Sequence, residues 1–328
     1  MRWLLWAVLI VAAGWSGLWF AGAHMLDRAV ADALAQSVPE VSAADYAVRG
    51  FPNRFDVTLT EPRLSDPVSG FGWSAPFVQV FALSYRPWHT ILALPPEQRL
   101  VWPNGGLILR AEMLQASLVL RPTQALPLDR LTVIGKGLDL RPDLGVGASV
   151  GAVHFATRLD QTRVNTHEIG LQVSGIAPDA TALALLPAGT DLPPAADTLR
   201  LDAFASFSDP LDRFAAQTLP DLTRLDLKEL SFRWGDILLE GEGVLVPDSN
   251  GFAEGRITLR LDQWRKAIDA AVAVGALRPE IAPTWAEFAR RLAEASGNPD
   301  RLDLPLIFGR GRMSLGPIPL GLAPRLVR

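Results

Sequence analysis

Residues 225–261 read LDLKELSFRWGDILLEGEGVLVPDSNGFAEGRITLRL and contain three runs of alternating apolar and polar residues, separated by two turn sequences. Alternation with a period of two is typical of a strand that buries one face. The first run slips by one residue between Leu227 and Leu230, which indicates a β-bulge. Asn250-Gly251 is a strong hairpin signal, and short connections imply antiparallel pairing. The block therefore predicts a three-stranded antiparallel meander.

The same alternation recurs over nearly 250 residues of the chain. Further strands are predicted at 55–60, 77–85, 107–120, 131–140, 153–160, 169–173, 199–207, 302–308 and 311–315. Helices are predicted near Asp262, from a capping box at Thr284 to Gly297, and in short segments at 179–186 and 209–217. We expect a mainly β protein, with a long curved antiparallel sheet or a sandwich and a few short helices.

The N-terminal stretch Trp3–Leu26 contains no charged side chain. A helix needs about 20 mostly apolar residues to cross a membrane, so residues 1–26 are predicted to be a transmembrane anchor. A helical extension is expected over 27–39, where Pro39 ends it. Positive charge at Arg2 and the amine favours a cytoplasmic N-terminus. We expect a single-pass protein of the bacterial inner membrane with a periplasmic β-rich domain over 40–328.

Two features of this organisation stay open. Ala21-Gly22-Ala23 fits the small-x-small pattern of a signal peptidase site, so the alternative to an anchor is a signal sequence cleaved after Ala23. The proline-rich stretch 188–197 could divide residues 40–328 into two halves, or could be a loop within one elongated domain.

The composition and the motifs argue against most catalytic classes. The chain has no cysteine, which excludes disulfides, thiolate metal sites, a cysteine nucleophile and a lipid-modified cysteine. Its net charge is −4 and it has no basic tract, so we expect no nucleic acid partner. GxSxG, HExxH, GxGxxG and GxxxxGK[ST] are absent. We therefore expect no enzyme activity, no metal, no cofactor and no bound nucleotide.

The most distinctive local stretch is GWSAPFVQVFALSYRPWH, residues 72–89. It is rich in aromatic residues and punctuated by Pro76 and Pro87. One interpretation is a surface that binds an apolar ligand or a partner protein; the other is two core strands joined by rigid turns. The candidate surface residues are Trp73, Phe77, Phe81, Tyr85 and Trp88.

Five segments carry a resemblance to a known family: Gly50-Phe51-Pro52-Asn53-Arg54, Trp73-Ser74-Ala75-Pro76, Ser84-Tyr85-Arg86-Pro87, Trp234-Gly235 and Leu315-Gly316-Pro317-Ile318-Pro319-Leu320. In these segments the chain resembles an uncharacterised family of bacterial envelope proteins, domain of unknown function 2125. The resemblance spans most of the chain. It implies no activity and no catalytic residues, because none is established for the family.

A second likeness rests on strand-turn-strand blocks such as 225–261. There the chain is similar to AsmA-type proteins, in which an inner-membrane helix precedes a long β-rich periplasmic region. That likeness implies a role in outer-membrane assembly or in phospholipid movement. The chain is much shorter than the long AsmA-type proteins, which argues against a bridge between two membranes.

Three functions follow as hypotheses. The first is a non-enzymatic, membrane-anchored envelope protein whose periplasmic β domain binds lipid or another apolar ligand in envelope maintenance. The alternative is a structural or scaffold subunit of an envelope complex. The third is an exported hydrolase, which would need convergent titratable groups in a cleft. The expected partners are the inner membrane, through Trp3–Leu26, and a phospholipid or an envelope protein.

Overall fold

A long N-terminal helix is followed by one antiparallel sheet in the computed structural model of the chain. The structure describes residues 2–35, 40–67, 69–186, 192–215, 219–296, 298–316 and 318–327. The described helices are α1 Arg2–Leu34, α2 Ala180–Leu183, α3 Trp264–Ala273 and α4 Ala282–Ser296. The described strands are β1 Glu40–Ser42, β2 Asp45–Arg49, β3 Arg54–Thr60, β4 Arg63–Asp66, β5 Phe71–Ser74, β6 Phe77–Leu83, β7 Arg86–Leu94, β8 Glu97–Trp102, β9 Gly105–Leu120, β10 Leu128–Pro142, β11 Ala148–Leu159, β12 Thr166–Pro178, β13 Ala196–Phe207, β14 Leu222–Trp234, β15 Ile237–Pro247, β16 Ala253–Asp262, β17 Arg301–Gly309, β18 Arg312–Leu315 and β19 Ile318–Leu322.

The first eight strands are four long strands, each interrupted once. They are β1 with β2, β3 with β4, β5 with β6, and β7 with β8. Proline accounts for three of the interruptions, at Pro62, Pro76 and Pro95-Pro96, because it cannot donate to a ladder. Pairing continues on both sides of each break, and β9 pairs with β7 and β8 at one edge and with β10 at the other. Each long strand therefore pairs with the next one along the chain.

In the strands that follow, glycines lie at the same position along the strand direction as these interruptions. Gly137 and Gly175 have φ angles of 56° and 64°, where side chains with a Cβ are rarely found. A Cβ built on Gly135 would lie 3.0 Å from Cδ1 of Leu138, so residues three apart share a face here. We call this line of breaks the crease. Its residues are Pro62, Pro76, Pro95, Pro96, Gly137, Gly151 and Gly175.

One row of paired residues crosses thirteen strands, from β2 to β17, and is apolar throughout. We call it the central apolar row. Its members are Val48, Val57, Val80, Leu92, Ala116, Val133, Phe155, Leu171, Leu201, Leu230, Gly241, Leu259 and Leu304. Cross-strand neighbours on one face contact each other, so this row and its same-face neighbours form a continuous apolar face.

The structure confirms a mainly β fold and selects a single large sheet over a sandwich. The meander predicted at 225–261 is confirmed as β14, β15 and β16, with the register shift between Leu227 and Leu230. The short helix predicted at 179–186 is confirmed as α2, with the Asp179 carboxylate accepting from the Ala182 amide.

Two helix predictions need correction. The C-terminal helix begins at Ala282, not at a Thr284 capping box, because Glu287 forms ion pairs with Arg290 and Arg291 instead of reaching back. Those hydrogen bonds hold the pKa of Glu287 at about 2. Residues 209–215 form turns and not a helix, since the Asp212 carboxylate accepts from the nearby Phe214 amide. Residues 216–218 lie outside the described part of the chain, as do 36–39 of the predicted extension and 187–191 around the possible division at 188–197.

His167 is a buried titratable group at the start of β12. Its Nδ1 lies 3.5 Å from Oγ1 of Thr157, and its ring meets Phe207 edge-on. Burial lowers the pKa of His167, an effect that the Asp129 carboxylate opposes and Arg121 reinforces. The folded protein therefore favours the neutral imidazole.

We expect the crease to be sensitive to a side chain at Gly137. Gly137→Ala should lower stability by about 1–2 kcal/mol, the cost of a left-handed L-residue, and its Cβ would approach Glu112 to 2.5 Å. Gly309→Ala in β17 is the control, because an added Cβ there meets nothing within 4 Å. Thermal unfolding followed by circular dichroism measures both. Equal melting temperatures for the two variants would contradict this account of the crease.

We also expect stability to fall between pH 7.5 and 5.5. The unfolded chain binds a proton at His167 near pH 6.5, the ordinary pKa of histidine. Because the folded pKa is lower, folding loses stability as the pH falls through that value. His167→Gln should flatten the melting temperature over this range, whereas His154→Gln, at an exposed position of β11, should not. An unchanged pH profile in His167→Gln would refute the assignment.

Candidate functional site

The apolar face of the sheet is not covered by a second layer along most of its width. In the central apolar row only Val57 and Gly241 are buried, and the other members are half-buried. The accessible surface of the chain is 19500 Å², against about 13,000 Å² expected for a compact monomer of 35.5 kDa. The exposed first half of α1 contributes to this excess together with the open sheet. The sheet therefore presents a long, partly open apolar surface.

The two ends of the later strands are covered. At one end, α3 and α4 pack on Leu261, Leu302 and Leu304. At the other end, the C-terminal segment places Ala323 and Leu326 against a cluster that includes the strand residues Leu245 and Phe308. Both covers lie on the apolar face, because Leu245, Leu261 and Leu304 share it. These two clusters involve strands β14 to β18, and the part of the face around Val133 and Phe155, on β10 and β11, lies beyond them.

Helix α1 covers the apolar face at the first strands, where two tryptophans hold it to the turn between β2 and β3. Nε1 of Trp15 donates to the Pro52 carbonyl at 3.0 Å, and Nε1 of Trp19 donates to the Arg54 carbonyl at 2.8 Å. The tryptophans are four residues apart, so they lie on the same side of the helix. These two hydrogen bonds thus fix the position of the helix along its axis and its rotation about that axis, relative to the sheet.

An aromatic cluster surrounds the second of these bonds. The buried Trp19 stacks on Phe55 at 5.8 Å between ring centroids and meets Phe51 edge-on at 5.4 Å. Phe20 stacks on Phe51 at 5.7 Å. Gly22 allows the close approach, because a Cβ there would lie 2.8 Å from Cζ of Phe55. Each such aromatic pair adds about 0.5–1.5 kcal/mol to the free energy of area burial.

A groove of 640 Å³ lies between α1 and the sheet. The helix lines it with residues that include Leu18, Met25 and Leu26. The sheet lines it with residues that include Val57 and Val80 of the central apolar row. Its walls are largely apolar and its volume is in the range of ligand-binding pockets, about 300–1,000 Å³. The candidate functional site is this groove together with the open apolar face that continues from it.

Comparison with known proteins places this architecture in one family. A family model described as "Uncharacterized protein conserved in bacteria (DUF2125)" matches residues 19–324. The chain belongs to this family. No curated protein and no solved structure matches it. The family match begins at Trp19. It therefore covers the second half of α1, from Trp19 onwards, as well as the sheet of this DUF2125 protein.

The likeness to AsmA-type proteins is not established by these comparisons and stays a prediction. Helix α1 is the one helix in the described part of this DUF2125 chain that is long and apolar enough to cross a membrane.

The opposite face of the sheet is polar and ion-paired. Arg158 pairs with Glu168 across β11 and β12, and Lys228 Nζ lies 2.9 Å from Asp226 Oδ2. The basic side chains of these pairs are largely exposed, so each pair contributes about 0–1 kcal/mol. This face is therefore the solvated side of the sheet.

The structure does not bring the five predicted aromatic residues onto one surface. Tyr85 lines the groove beside α1. Trp73 is on the apolar face beyond the crease, where Nε1 donates to Oε1 of Gln98 at 3.0 Å. Trp88 is half-buried on β7. Phe77 and Phe81 face the polar side, because Val78 and Val80 between them take the apolar side.

On that polar side, Phe81 packs near the Arg54 guanidinium, whose Cζ is 5.9 Å from the ring centroid. Phe81, His89 and the exposed Ile91 line a small depression there. Ligand or partner binding by these aromatic residues stays a prediction, and only Tyr85 belongs to the groove.

The contribution of α1 was not predicted from the sequence. A signal was present in Trp15 and Trp19, whose spacing places two indole N–H groups on one side of an otherwise apolar helix. An indole N–H that leaves water usually finds an acceptor, so such a pair indicates a docked helix.

The docking of α1 predicts a specific loss. Trp19→Ala should lower stability by about 3–5 kcal/mol, the usual cost of truncating a buried tryptophan, because it removes the stack on Phe55 and leaves the Arg54 carbonyl without its donor. Limited proteolysis should then cut the turn at 50–53 faster. Trp6→Ala is the matched control, since Trp6 is exposed on the same helix. Equal proteolysis of both variants would argue against docking.

Proposed function

We propose that this protein is a non-enzymatic envelope protein, anchored in the inner membrane by α1, that binds lipid acyl chains on the apolar face of its periplasmic sheet. The observation that carries the proposal is the central apolar row, an uninterrupted apolar ladder row in which all members but Val57 and Gly241 are half-buried. Helices cover its two ends, at Val57 beside α1 and at Leu304 under α4, and the other members between them stay half-buried. Exposed apolar surface of this extent usually marks an interaction site.

The position of α1 supports a retained anchor. Cleavage after Ala23 would remove Trp15, Trp19 and Gly22, which make the closest contacts with the first strands. A segment that serves only for export has no need of such contacts. The helix is 33 residues long, more than the about 20 residues that cross a membrane, so its C-terminal part continues beyond the span along the sheet. Export with the N-terminus in the cytoplasm follows from the charge at Arg2.

Acyl chains suit the site better than a polar ligand does. The groove beside α1 and the central apolar row offer few hydrogen-bonding side chains. Those that line the groove are Ser84, Tyr85 and Thr90, together with Trp15 and Trp19, whose indole N–H groups already donate to backbone carbonyls. Binding would then rest on area burial, about 0.8 kcal/mol for each methylene removed from water. A chain of many methylenes gains affinity along such a surface without needing a specific polar partner.

Neighbouring residues on one strand provide the test. The photoreactive residue p-benzoylphenylalanine would replace either Val133, on the apolar face, or Ile134, which faces the other way and is 39 % exposed. After irradiation of cells, mass spectrometry should find a phospholipid adduct at position 133 and none at 134. The intact mass of the same protein would show whether α1 is retained.

A second pair of variants guards against non-specific labelling. Ala116 lies directly opposite Val133 in the central apolar row, and Gln115 is its exposed neighbour. Ala116→Trp should fill the site and reduce the adduct at 133, while Gln115→Trp should leave it unchanged. Equal lipid labelling at 133 and 134 would contradict acyl-chain binding. A protein adduct at 133 would favour the scaffold function instead.

A further inference from the structure

The length of α1 before its first contact with the sheet constrains how the protein sits in a membrane. Trp15 is thirteen residues beyond Arg2, which is about 20 Å along a helix, and Trp19 is about 26 Å along it. The hydrocarbon core of a bilayer is about 30 Å thick. Residues 2–14 alone are therefore too short to cross it, and the span must include the residues that bind the turn between β2 and β3.

We propose that this turn, residues 50–53, inserts into the outer leaflet of the membrane beside α1. With Arg2 at the inner interface, the bond from Trp15 to Pro52 lies within the outer half of the hydrocarbon core and the bond from Trp19 to Arg54 lies near its outer limit. This inference rests on the anchoring part of the proposed function and does not depend on acyl-chain binding by the sheet.

The side chains at the turn suit that position. Phe51 is 52 % exposed, its stacking partner Phe20 is 62 % exposed, and Tyr85 in the adjacent turn between β6 and β7 is 58 % exposed. In water these rings would form a costly apolar patch. In a leaflet they are buried among acyl chains and lie where aromatic residues are enriched.

Most of the backbone carbonyls of the turn are hydrogen-bonded within the protein. Three of the four carbonyls of residues 50–53 accept hydrogen bonds within the protein: Gly50 from the Arg54 amide, Pro52 from Trp15, and Asn53 from Ser84. The Arg54 carbonyl, next to the turn, accepts from Trp19. Pro52 has no amide hydrogen to satisfy. Non-helical backbone enters the hydrocarbon region only when its polar groups are satisfied within the protein.

Charged groups flank the turn at the level expected for lipid headgroups. Arg49 precedes it and Arg54 follows it, and NH2 of Arg54 lies 2.8 Å from Oδ2 of Asp56. Arginines at the interface attract anionic lipid phosphates. The charge pattern therefore limits how deeply the turn inserts: the aromatic tip enters the leaflet and the arginines stay at its surface.

Insertion gives the groove beside α1 a direct connection to its ligand. Tyr85 and Trp15 line the groove at the level of the inserted turn, whereas Met25 and Ala29 line it farther from the membrane. The groove thus opens sideways into the outer leaflet, and an acyl chain of a lipid in that leaflet reaches the sheet without crossing water.

The absence of cysteine from the chain makes depth measurement straightforward. Single-cysteine variants of the full chain would be labelled with the fluorophore NBD and reconstituted into vesicles of phosphatidylethanolamine and phosphatidylglycerol. Phe51→Cys and Tyr85→Cys test the inference. Val11→Cys, in the exposed middle of α1, marks the membrane, and Leu144→Cys marks water. Leu144 is 80 % exposed in a turn at the opposite end of the strands, so it also controls for apolar exposure.

We expect NBD at positions 51, 85 and 11 to emit at shorter wavelength and to lose emission to doxyl-labelled lipid, while NBD at 144 does neither. Two sites are tested so that a disturbance of the Phe20 stack in Phe51→Cys does not decide the result. Quenching at 11 without quenching at 51 and 85 would overturn insertion and leave anchoring intact. An absence of quenching at 11 as well would overturn anchoring and insertion together.

Discussion

Register is the constraint on which the rest of this structure depends. In a ladder, a slip of one residue transfers every side chain of a strand to the other face. From Val48 on β2 to Leu304 on β17, each residue of the central apolar row pairs with the next member of the row on the neighbouring strand. This pairing holds even though several strands contain bulges or breaks. The crease runs alongside this row and does not cross it. Because neighbouring strands break at the same position, the phase change in one strand is matched in the next, and the apolar face continues beyond the crease with Leu138 and Val150. The apolar face, the groove and the docking of α1 all follow from that preserved register.

Much of the fold was predictable from period-two alternation. Strands β14, β15 and β16, the bulge after Leu227 and the turn at Asn250-Gly251 were all visible in the sequence. A single sheet could not be told from a sandwich, because the same alternation serves both. The crease was also invisible: prolines such as Pro62 and Pro76 predict a break in each strand, but only pairing shows that the breaks align.

The candidate site was less predictable, for a geometric reason. Grouping residues 72–89 by their aromatic content ignored the alternation that sends Phe77 and Phe81 to one face and Val78 and Val80 to the other. The residues that matter are individually ordinary aliphatic side chains such as Leu92, Ala116 and Val133. They form one surface only when the strands of the sheet pair in this register, and no local sequence motif predicts that pairing. The docking of α1 likewise joins residues about 35 positions apart.

The order of pairing has a consequence for biogenesis. Every long strand pairs with the strand that follows it in the chain, without a crossover and without a partner that arrives much later. Contacts that are local in sequence have a low entropic cost of loop closure and favour fast folding. Because a chain is synthesised from its N-terminus, it can thus add one hairpin at a time to an existing edge. The growing edge is the template for the next strand, so a long unpaired segment need never accumulate during folding.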